Sequence, residues 1–211
     1  GRLNTEVAGV EARHVTLRSG ERIDAAHVIV ANGIAASCLV PSVPLQPKKG
    51  HLLITDRYPG VVRHQLLELG YIKRAHHASG TSVAFNAQPR PTGQLLIGSS
   101  RQFDSTDPAV EMPVLAQMLR RAAQYLPALP ALNGIRAWTG FRAASPDGLP
   151  LIGPAGDMAP GVWLALGHEG LGVTTSLASA KLLAAQITQG RAPIPFEPYL
   201  PARFSEERHH A

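Results

Sequence analysis

Several features that assign a protein to a common class are scarce in this sequence. Cys38 is the single cysteine among 211 residues, which excludes an intrachain disulfide framework and a metal site built from thiolates. Charged residues make up 17% and aromatic residues 5%, a composition that fits neither a disordered tail nor a coiled coil. No apolar run approaches ~18 residues, so the sequence predicts no membrane-spanning helix. The hydrophobic content of 45% instead predicts a globular fold with a buried core.

The sequence also lacks a concentrated charge. The formal net charge is +5, but the basic residues are spread along the chain, and the densest segments, YIKRAHH and MLRRAAQ, are short. This distribution argues against nucleic-acid binding and favours a site for anionic small molecules. The lone cysteine favours a reducing compartment, so we expect a cytoplasmic protein, with peripheral association at the inner membrane as the alternative.

The distribution of apolar residues predicts three segments. Residues 1–45 hold short strands, with a hairpin turn at Ser19-Gly20, and end in the apolar run HVIV, which suits a parallel strand buried on both faces. Residues 46–150 alternate in polarity, which predicts an antiparallel sheet that includes GYIKRAHH as a strand. This segment also holds one amphipathic helix, which ends at Pro127. Residues 151–211 return to the first sheet through the strand VWLALG and a long helix that ends near Gly190. We therefore expect Val28–Val30 and Val162–Leu166 to lie in one sheet.

One strand of the middle segment places two arginines and a tryptophan on the same face. Residues alternate between the two faces of a strand, so Arg136, Trp138, Gly140 and Arg142 share one side of GIRAWTGFRAA. An arginine that is buried needs an anionic partner. If this face is buried, the two arginines therefore require anionic partners.

A glycine-rich turn, GHEGLG, joins the last predicted strand to the last predicted helix. Its spacing, G-x-x-G-x-G, differs from the dinucleotide-binding fingerprint G-x-G-x-x-G, which does not occur in the sequence. The same physics applies, because free N–H groups and the helix dipole attract negative charge, and the missing Cβ atoms let a flat ligand approach the backbone. The negatively charged edge of a reduced flavin would fit such a turn.

Four segments, in this order, resemble one family: VIVANGIAAS, QPKKGHLL, RAWTGFRAASPDGLPLIGP and LALGHEGLGVTTSLASAKLLA. The sequence resembles the C-terminal part of FAD-dependent oxidoreductases of the D-amino-acid oxidase superfamily. Within that superfamily it is most similar to glycine oxidase, D-amino-acid dehydrogenase, hydroxyproline dehydrogenase and hydrogen cyanide synthase subunits. The resemblance implies an α/β fold with an incomplete FAD-binding Rossmann-like layer (1–45 and 151–211) and an antiparallel-sheet substrate domain (46–150).

The activity implied by the resemblance is oxidation of an amino acid or secondary amine to the imine, with hydride transfer to flavin N5. The electron acceptor would be oxygen, a quinone or an iron–sulfur subunit, and the protein could be a hetero-oligomer. The glycine fingerprint that binds the FAD pyrophosphate in full-length members is absent, and the sequence begins at Gly1 within a strand pattern. We therefore expect it to be part of a longer protein, or to be completed by a second polypeptide.

The resemblance also assigns roles to individual residues. Arg142 matches the arginine that pairs with the substrate carboxylate, although Ala143 stands where the family usually has proline, and Asn86 occupies a substrate-facing strand position. His168 is a candidate catalytic base. The residues expected at the cofactor are Val7, Asn32, Gly33, Lys49, Gly50, Gly167, His168, Glu169, Gly170, Leu171, Gly172, Val173 and Thr174. We expect no metal site, because the histidine pairs at 76–77 and 209–210 lack a third ligand at a suitable spacing.

Two other functions stay open at this stage. A non-catalytic, flavoprotein-like subunit of a heteromeric dehydrogenase would explain the missing fingerprint, but not the intact Arg142 and glycine turn. The oxidase module of a tRNA-modifying flavoenzyme would contain similar segments.

Overall fold

The computed structural model describes residues 1–69, 80–103 and 105–204, which form two compact units. The first unit consists of Gly1–Gln46 and Arg142–Ala211, and the second of Pro47–Phe141. The expected strand GYIKRAHH and both histidine pairs lie outside the described residues.

Two small sheets and one long helix build the first unit. The strands β1 (Val7–Glu11), β2 (His14–Leu17) and β3 (Arg22–Asp24) form an antiparallel meander, with Gly20 at φ +88° in the predicted hairpin turn. The strands of the second sheet are β4 (Val28–Val30), β10 (Leu151–Pro154) and β11 (Val162–Leu166), in the order β10-β11-β4. Since β11 runs parallel to β4, the predicted pairing of these two strands in one sheet is confirmed. Short 3₁₀ turns occupy Gly33–Cys38, Gly156–Met158, Glu197–Tyr199 and Pro201–Phe204.

The strand β4 is buried on one face and exposed on the other. Val28 and Val30 lie in the core with Leu164 and Leu166, whereas the side chain of Ile29 between them is 48% exposed. The expected burial of both faces was wrong for the described residues. The strand β4 pairs in parallel with β11 along one edge and is the outer strand of this sheet. The apolar run therefore predicted the parallel pairing but not the exposure of one face.

An antiparallel sheet covered by one helix forms the second unit. Its strands, in the order β6-β7-β8-β5-β9, are β5 (Gln46–Arg57), β6 (Leu66–Leu67), β7 (Thr81–Pro89), β8 (Gln94–Gln102) and β9 (Gly134–Ala144). The helix α1 (Met112–Tyr125) buries Met118 and Ala122, and Ala122 packs with Phe85 and Ile97 of the sheet. The predicted sheet with a flanking helix that ends before Pro127 is therefore confirmed.

The second unit ends at Phe141, within β9. The last residues of β9 belong to the first unit, where the Glu169 N–H donates to the Ala143 carbonyl at 3.0 Å and Ala144 forms a bridge with His168. The long helix α2 (Gly172–Thr188) completes the first unit; its left-handed C-cap is Gln189, and Gly190 lies just past its end, as predicted. None of the helices in the described part of the chain has the length and apolar character needed to cross a membrane.

Candidate functional site

The glycine-rich turn lies between β11 and α2 and is held by backbone hydrogen bonds. Gly167 and Glu169 both adopt positive φ values, +74° and +51°. The Leu171 N–H donates to the His168 carbonyl within the turn, and the Glu169 N–H donates to Ala143 at the end of β9, both at 3.0 Å. The turn is therefore fixed both internally and against the neighbouring strand.

Two glycines of the turn serve different purposes. A Cβ at Gly167 would lie 2.8 Å from Cδ1 of the fully buried Leu151, so both space and the positive φ require glycine there. At Gly170 a Cβ would meet only the Arg142 side chain, 3.6 Å from Nε and 3.8 Å from Cδ. Gly167 is required by the fold, whereas a side chain at Gly170 would make ordinary van der Waals contact with Arg142.

The start of α2 presents backbone N–H groups without helical acceptors. The first helical hydrogen bond runs from the Thr175 N–H to the Leu171 carbonyl at 2.9 Å, so the N–H groups of Gly172, Val173 and Thr174 precede the helical ladder. Leu171 provides no side-chain cap, and the first turn holds no acidic residue. These groups and the helix dipole make the start of α2 a favourable place for negative charge.

His168 connects the turn to the body of α2. Its Nε2 lies 2.8 Å from Oγ of Ser179, a buried residue two turns along the helix. Burial lowers the pKa of His168 below its ordinary value, which keeps the ring neutral near pH 7. The side chain expected as a catalytic base is thus engaged in an internal hydrogen bond.

Arg142 brings the predicted carboxylate site to the glycine turn. It follows Trp138 and Gly140 on the continuous strand β9, is half-buried, and packs beside Gly170 as described above. Arg136, at the exposed end of the same strand, has its guanidinium 5.7 Å from the ring centroid of Trp138.

Asn32 and Gly33 follow β4 after a single residue, Ala31. Since β4 and β11 are parallel neighbours, the residues after both strands lie at the same edge of the sheet, which is where ligands bind in such folds. Gly33 has φ +63° and begins a short 3₁₀ turn. Val7 lies elsewhere in this unit, at the start of β1, where it pairs with Leu17.

The remaining predicted residues lie in the second unit, on opposite faces of its sheet. Asn86 is buried on β7, next to Leu52 and Gly98, since a Cβ at Gly98 would approach both side chains within 3.1 Å. Lys49 is fully buried on the face that α1 covers, where its Nζ lies 2.7 Å from Oε1 of Glu111. Any contact of Lys49 and Gly50 with a cofactor would therefore involve the backbone.

Sequence reasoning missed the partners that hold these residues. They are Ser179 beside His168 and Glu111 beside Lys49. Among residues not predicted for the site, the ion pair Asp147–Arg203, in which Nε and Oδ2 are 2.6 Å apart, was missed as well. Each partner is separated in sequence from the residue it holds, by 11 to 62 positions. No local pattern could have identified them.

The family-level sequence profile of FAD-dependent oxidoreductases matches residues 2–186. The chain belongs to this family. The resemblance seen in the sequence is thereby confirmed, and the fold class agrees with it. FAD is the cofactor that the family uses.

Individual relatives are similar over much of the chain. Hydrogen cyanide synthase subunit HcnC of Pseudomonas aeruginosa is 31% identical over 78% of the chain and 36% of its own length. D-amino acid dehydrogenase 2 of the same organism is 32% identical over 92% of the chain and 44% of its own length. The chain thus spans less than half the length of these curated relatives.

Solved structures show the same fold. Glycine oxidase from Geobacillus kaustophilus superposes with a TM-score of 0.77 at 22% identity, covering 94% of the chain and 52% of that structure. L-proline dehydrogenase from P. horikoshii gives a TM-score of 0.79 at 23% identity, covering 96% and 54%.

Proposed function

We propose that the chain is part of an FAD-dependent enzyme that oxidises an amino acid or a secondary amine to the imine, and that Arg142 binds the substrate carboxylate. The observation that carries this proposal is the packing of Arg142 beside Gly170, which joins a carboxylate-binding group to the glycine turn. The guanidinium offers a planar pair of donors that matches a carboxylate. This half-buried position strengthens such a pair relative to one in bulk water.

The residues of the turn fit a flavin edge. The uncapped N–H groups of Gly172–Thr174 and the absence of acidic residues in the first turn of α2 favour an electron-rich group there. Bound FAD would supply the hydride acceptor of the reaction. The protein residues bind and orient: Arg142 holds the carboxylate, the turn accommodates the ring edge, and Asn32 and Gly33 lie at the same sheet edge.

We assign His168 an anchoring role rather than a basic one. Its Nε2 is occupied by Ser179, and the ring fixes the turn against α2. Removal of a proton from the substrate ammonium by solvent would suffice, since hydride transfer requires the neutral amine. Asn86 is proposed to contact the substrate, while Val7, Lys49 and Gly50 are proposed to reach the cofactor through their backbone.

Steady-state kinetics of the holoenzyme on an amino acid and its decarboxylated analogue test the role of Arg142. A charge-assisted bidentate pair in a partly dry site contributes roughly 2–4 kcal/mol. Arg142→Met should therefore lower kcat/KM for the carboxylated substrate roughly 30- to 1,000-fold and affect the analogue far less. Arg142→Lys should recover little, because an ammonium cannot reproduce the planar fork.

Arg136→Met is the matched control, since Arg136 lies on the same face of the same strand but at its exposed end. It should leave both substrates within about threefold of wild type. Equal losses on both substrates for Arg142→Met would show a structural role and contradict the assignment.

The enzyme is also proposed to be one component of a hetero-oligomer. Two relatives carry names that describe subunits, namely those of hydrogen cyanide synthase from Pseudomonas aeruginosa and of opine oxidase from Rhizobium meliloti. Purification of the tagged protein from its native host should recover a second polypeptide in fixed ratio, and recovery of active protein alone would exclude this arrangement.

A further inference from the structure

A buried polar cluster ties the first half of β5 to the start of α1 in the second unit. His51, which is fully buried, is at its centre. Its Nε2 accepts the Glu111 backbone N–H at 3.0 Å, and its Nδ1 lies 2.8 Å from Ser100 Oγ. The Glu111 carboxylate bonds Lys49 Nζ at 2.7 Å through Oε1 and Gln102 Nε2 at 3.0 Å through Oε2. On β5, His51 thus holds the backbone amide of Glu111 and Lys49 holds its carboxylate, with Gly50 between the two residues.

The hydrogen bonds determine the protonation state of His51. A backbone N–H can only donate, so Nε2 must carry a lone pair. In the neutral ring the proton is therefore on Nδ1, which donates to Ser100 Oγ, an atom that also accepts the His51 backbone N–H at 2.9 Å. A second proton on Nε2 would point at the Glu111 N–H and would break the bond.

We propose that His51 is a positioning residue: in its neutral form it holds Glu111, and through Glu111 the Lys49 side chain, so that the Lys49–Gly50 backbone keeps its place at the cofactor. The part concerning the cofactor rests on the proposed function, whereas the cluster itself does not. Both Lys49 and His51 point toward α1, so the intervening Gly50 is fixed by the residues on either side of it. Acidification should release the segment.

The charges around His51 agree with this role. Among the described residues, Lys49 on the same strand and Glu111 at the start of α1 act on the ring, while β8 contributes the uncharged Ser100 and Gln102. Burial lowers the pKa of His51 below 6.5, Lys49 adds to the decrease, and Glu111 opposes it. As the pH falls, His51 is therefore protonated in the unfolded chain before it is protonated in the folded chain. The contribution of neutral His51 to the free energy of unfolding is complete above about pH 6.5 and is lost as the pH falls toward the lowered pKa.

The stability of the full chain without cofactor tests the cluster in three variants, His51→Gln, His51→Ala and Ser100→Ala. All are made in a Trp163→Phe background, because Trp138 and Trp163 lie in different units and Trp138 then reports on the second unit alone. His51→Gln keeps an acceptor near the Nε2 position but cannot titrate, whereas His51→Ala leaves the Glu111 N–H unpaired. In urea at about pH 7.5, His51→Ala should raise the unfolding equilibrium constant roughly ten- to a hundredfold, and His51→Gln should recover most of this.

Between about pH 7.5 and pH 5.5 the stability of the wild-type second unit should fall, and that of His51→Gln should fall much less. Ser100→Ala, a milder change, replaces His51→Ala if the latter does not fold, and it should also destabilise the unit. Equal pH dependence of wild type and His51→Gln would overturn the proposal, as would a His51→Gln protein no more stable than His51→Ala.

The holoenzyme gives the test of positioning. FAD dissociation should become about tenfold faster in wild type once the pH falls below the lowered pKa of His51, and it should change little in His51→Gln at the same pH. If the stability results hold but FAD dissociation is the same in wild type and His51→Gln, the cluster only anchors the sheet and the positioning role is wrong. A wild-type holoenzyme that binds FAD but oxidises no amine would contradict the proposed function, yet leave the cluster intact.

Discussion

Gly167 connects β11 to the glycine turn, and the structure allows the cost of its replacement by alanine to be divided into two parts. The backbone part arises because alanine at φ +74° costs about 1–2 kcal/mol. The steric part arises because the new Cβ would lie 2.8 Å from Leu151 Cδ1, where ordinary contact begins at 3.4 Å. Leu151 is fully buried and cannot move freely, so this overlap should cost a further ~1–3 kcal/mol. Gly167→Ala should therefore destabilise the first unit by about 2–5 kcal/mol.

Gly156→Ala separates the two parts. Gly156 belongs to the same unit and has a similar φ of +59°, but a Cβ there would meet nothing within 4 Å. Its replacement should cost only the backbone part, about 1–2 kcal/mol. Urea unfolding in a Trp138→Phe background, where Trp163 alone reports on the first unit, measures both variants.

A double-mutant cycle identifies the atom responsible. Leu151→Ala removes Cδ1, so Gly167→Ala made in that background should cost only about 1–2 kcal/mol. If Gly167→Ala costs no more than Gly156→Ala, or if its cost is unchanged in the Leu151→Ala background, the steric argument for this glycine is refuted.

Three further predictions concern side chains that make contacts within a single unit. Ser179→Ala should lower the free energy of unfolding of the first unit by about 1 kcal/mol, because the hydrogen bond to His168 is lost. His168→Gln should retain more than about a tenth of the kcat of the holoenzyme. A decrease in kcat of about a hundredfold or more would instead identify His168 as a general base. Glu68, whose side chain is fully buried, accepts hydrogen bonds from the Phe85 N–H at 2.8 Å and from Arg121 Nε at 2.9 Å. Arg121→Met leaves the buried Glu68 carboxylate without its cationic partner, whereas the double variant Glu68→Gln/Arg121→Met removes both charges. Urea unfolding should therefore show the single variant to be less stable than the double variant. The opposite order would refute the importance of this buried ion pair.

The parts of the fold that sequence predicted are those encoded by local periodicity and turn residues. The pairing of β4 with β11 followed from two apolar runs, and α1 followed from helical spacing that ends at Pro127. The exposure of Ile29 was missed, because an apolar run indicates a parallel strand but does not show how many of its faces the described chain covers. The division of the chain at Arg142 is not visible in the local pattern either, since β9 is one uninterrupted strand whose end hydrogen-bonds to the glycine turn.

The candidate site was predictable where backbone chemistry determines it. Glycines at a strand-to-helix junction indicate both the turn and the helix N-terminus, whichever residues surround them. The partners of the side chains were not predictable, because Ser179, Glu111 and Glu68 each complete a contact that only tertiary packing creates. A buried Lys49 would be costly without the Glu111 carboxylate, and the sequence around Lys49 does not identify that partner, which lies 62 positions away.

The side-chain partners that only the structure shows change the interpretation of Lys49 and of His168. A positive side chain and an imidazole in segments that resemble a flavoenzyme invite roles in chemistry, yet both side chains make internal hydrogen bonds of 2.7–2.8 Å. A group engaged in this way contributes by fixing the backbone around it, and the backbone is what a glycine-rich cofactor site uses. For Arg142 the proposed contact with substrate rests on different observations, namely its packing beside Gly170 of the turn and the planar pair of donors that its guanidinium offers to a carboxylate. The kinetics of Arg142→Met and Arg136→Met on a carboxylated substrate and its decarboxylated analogue decide whether this proposal holds.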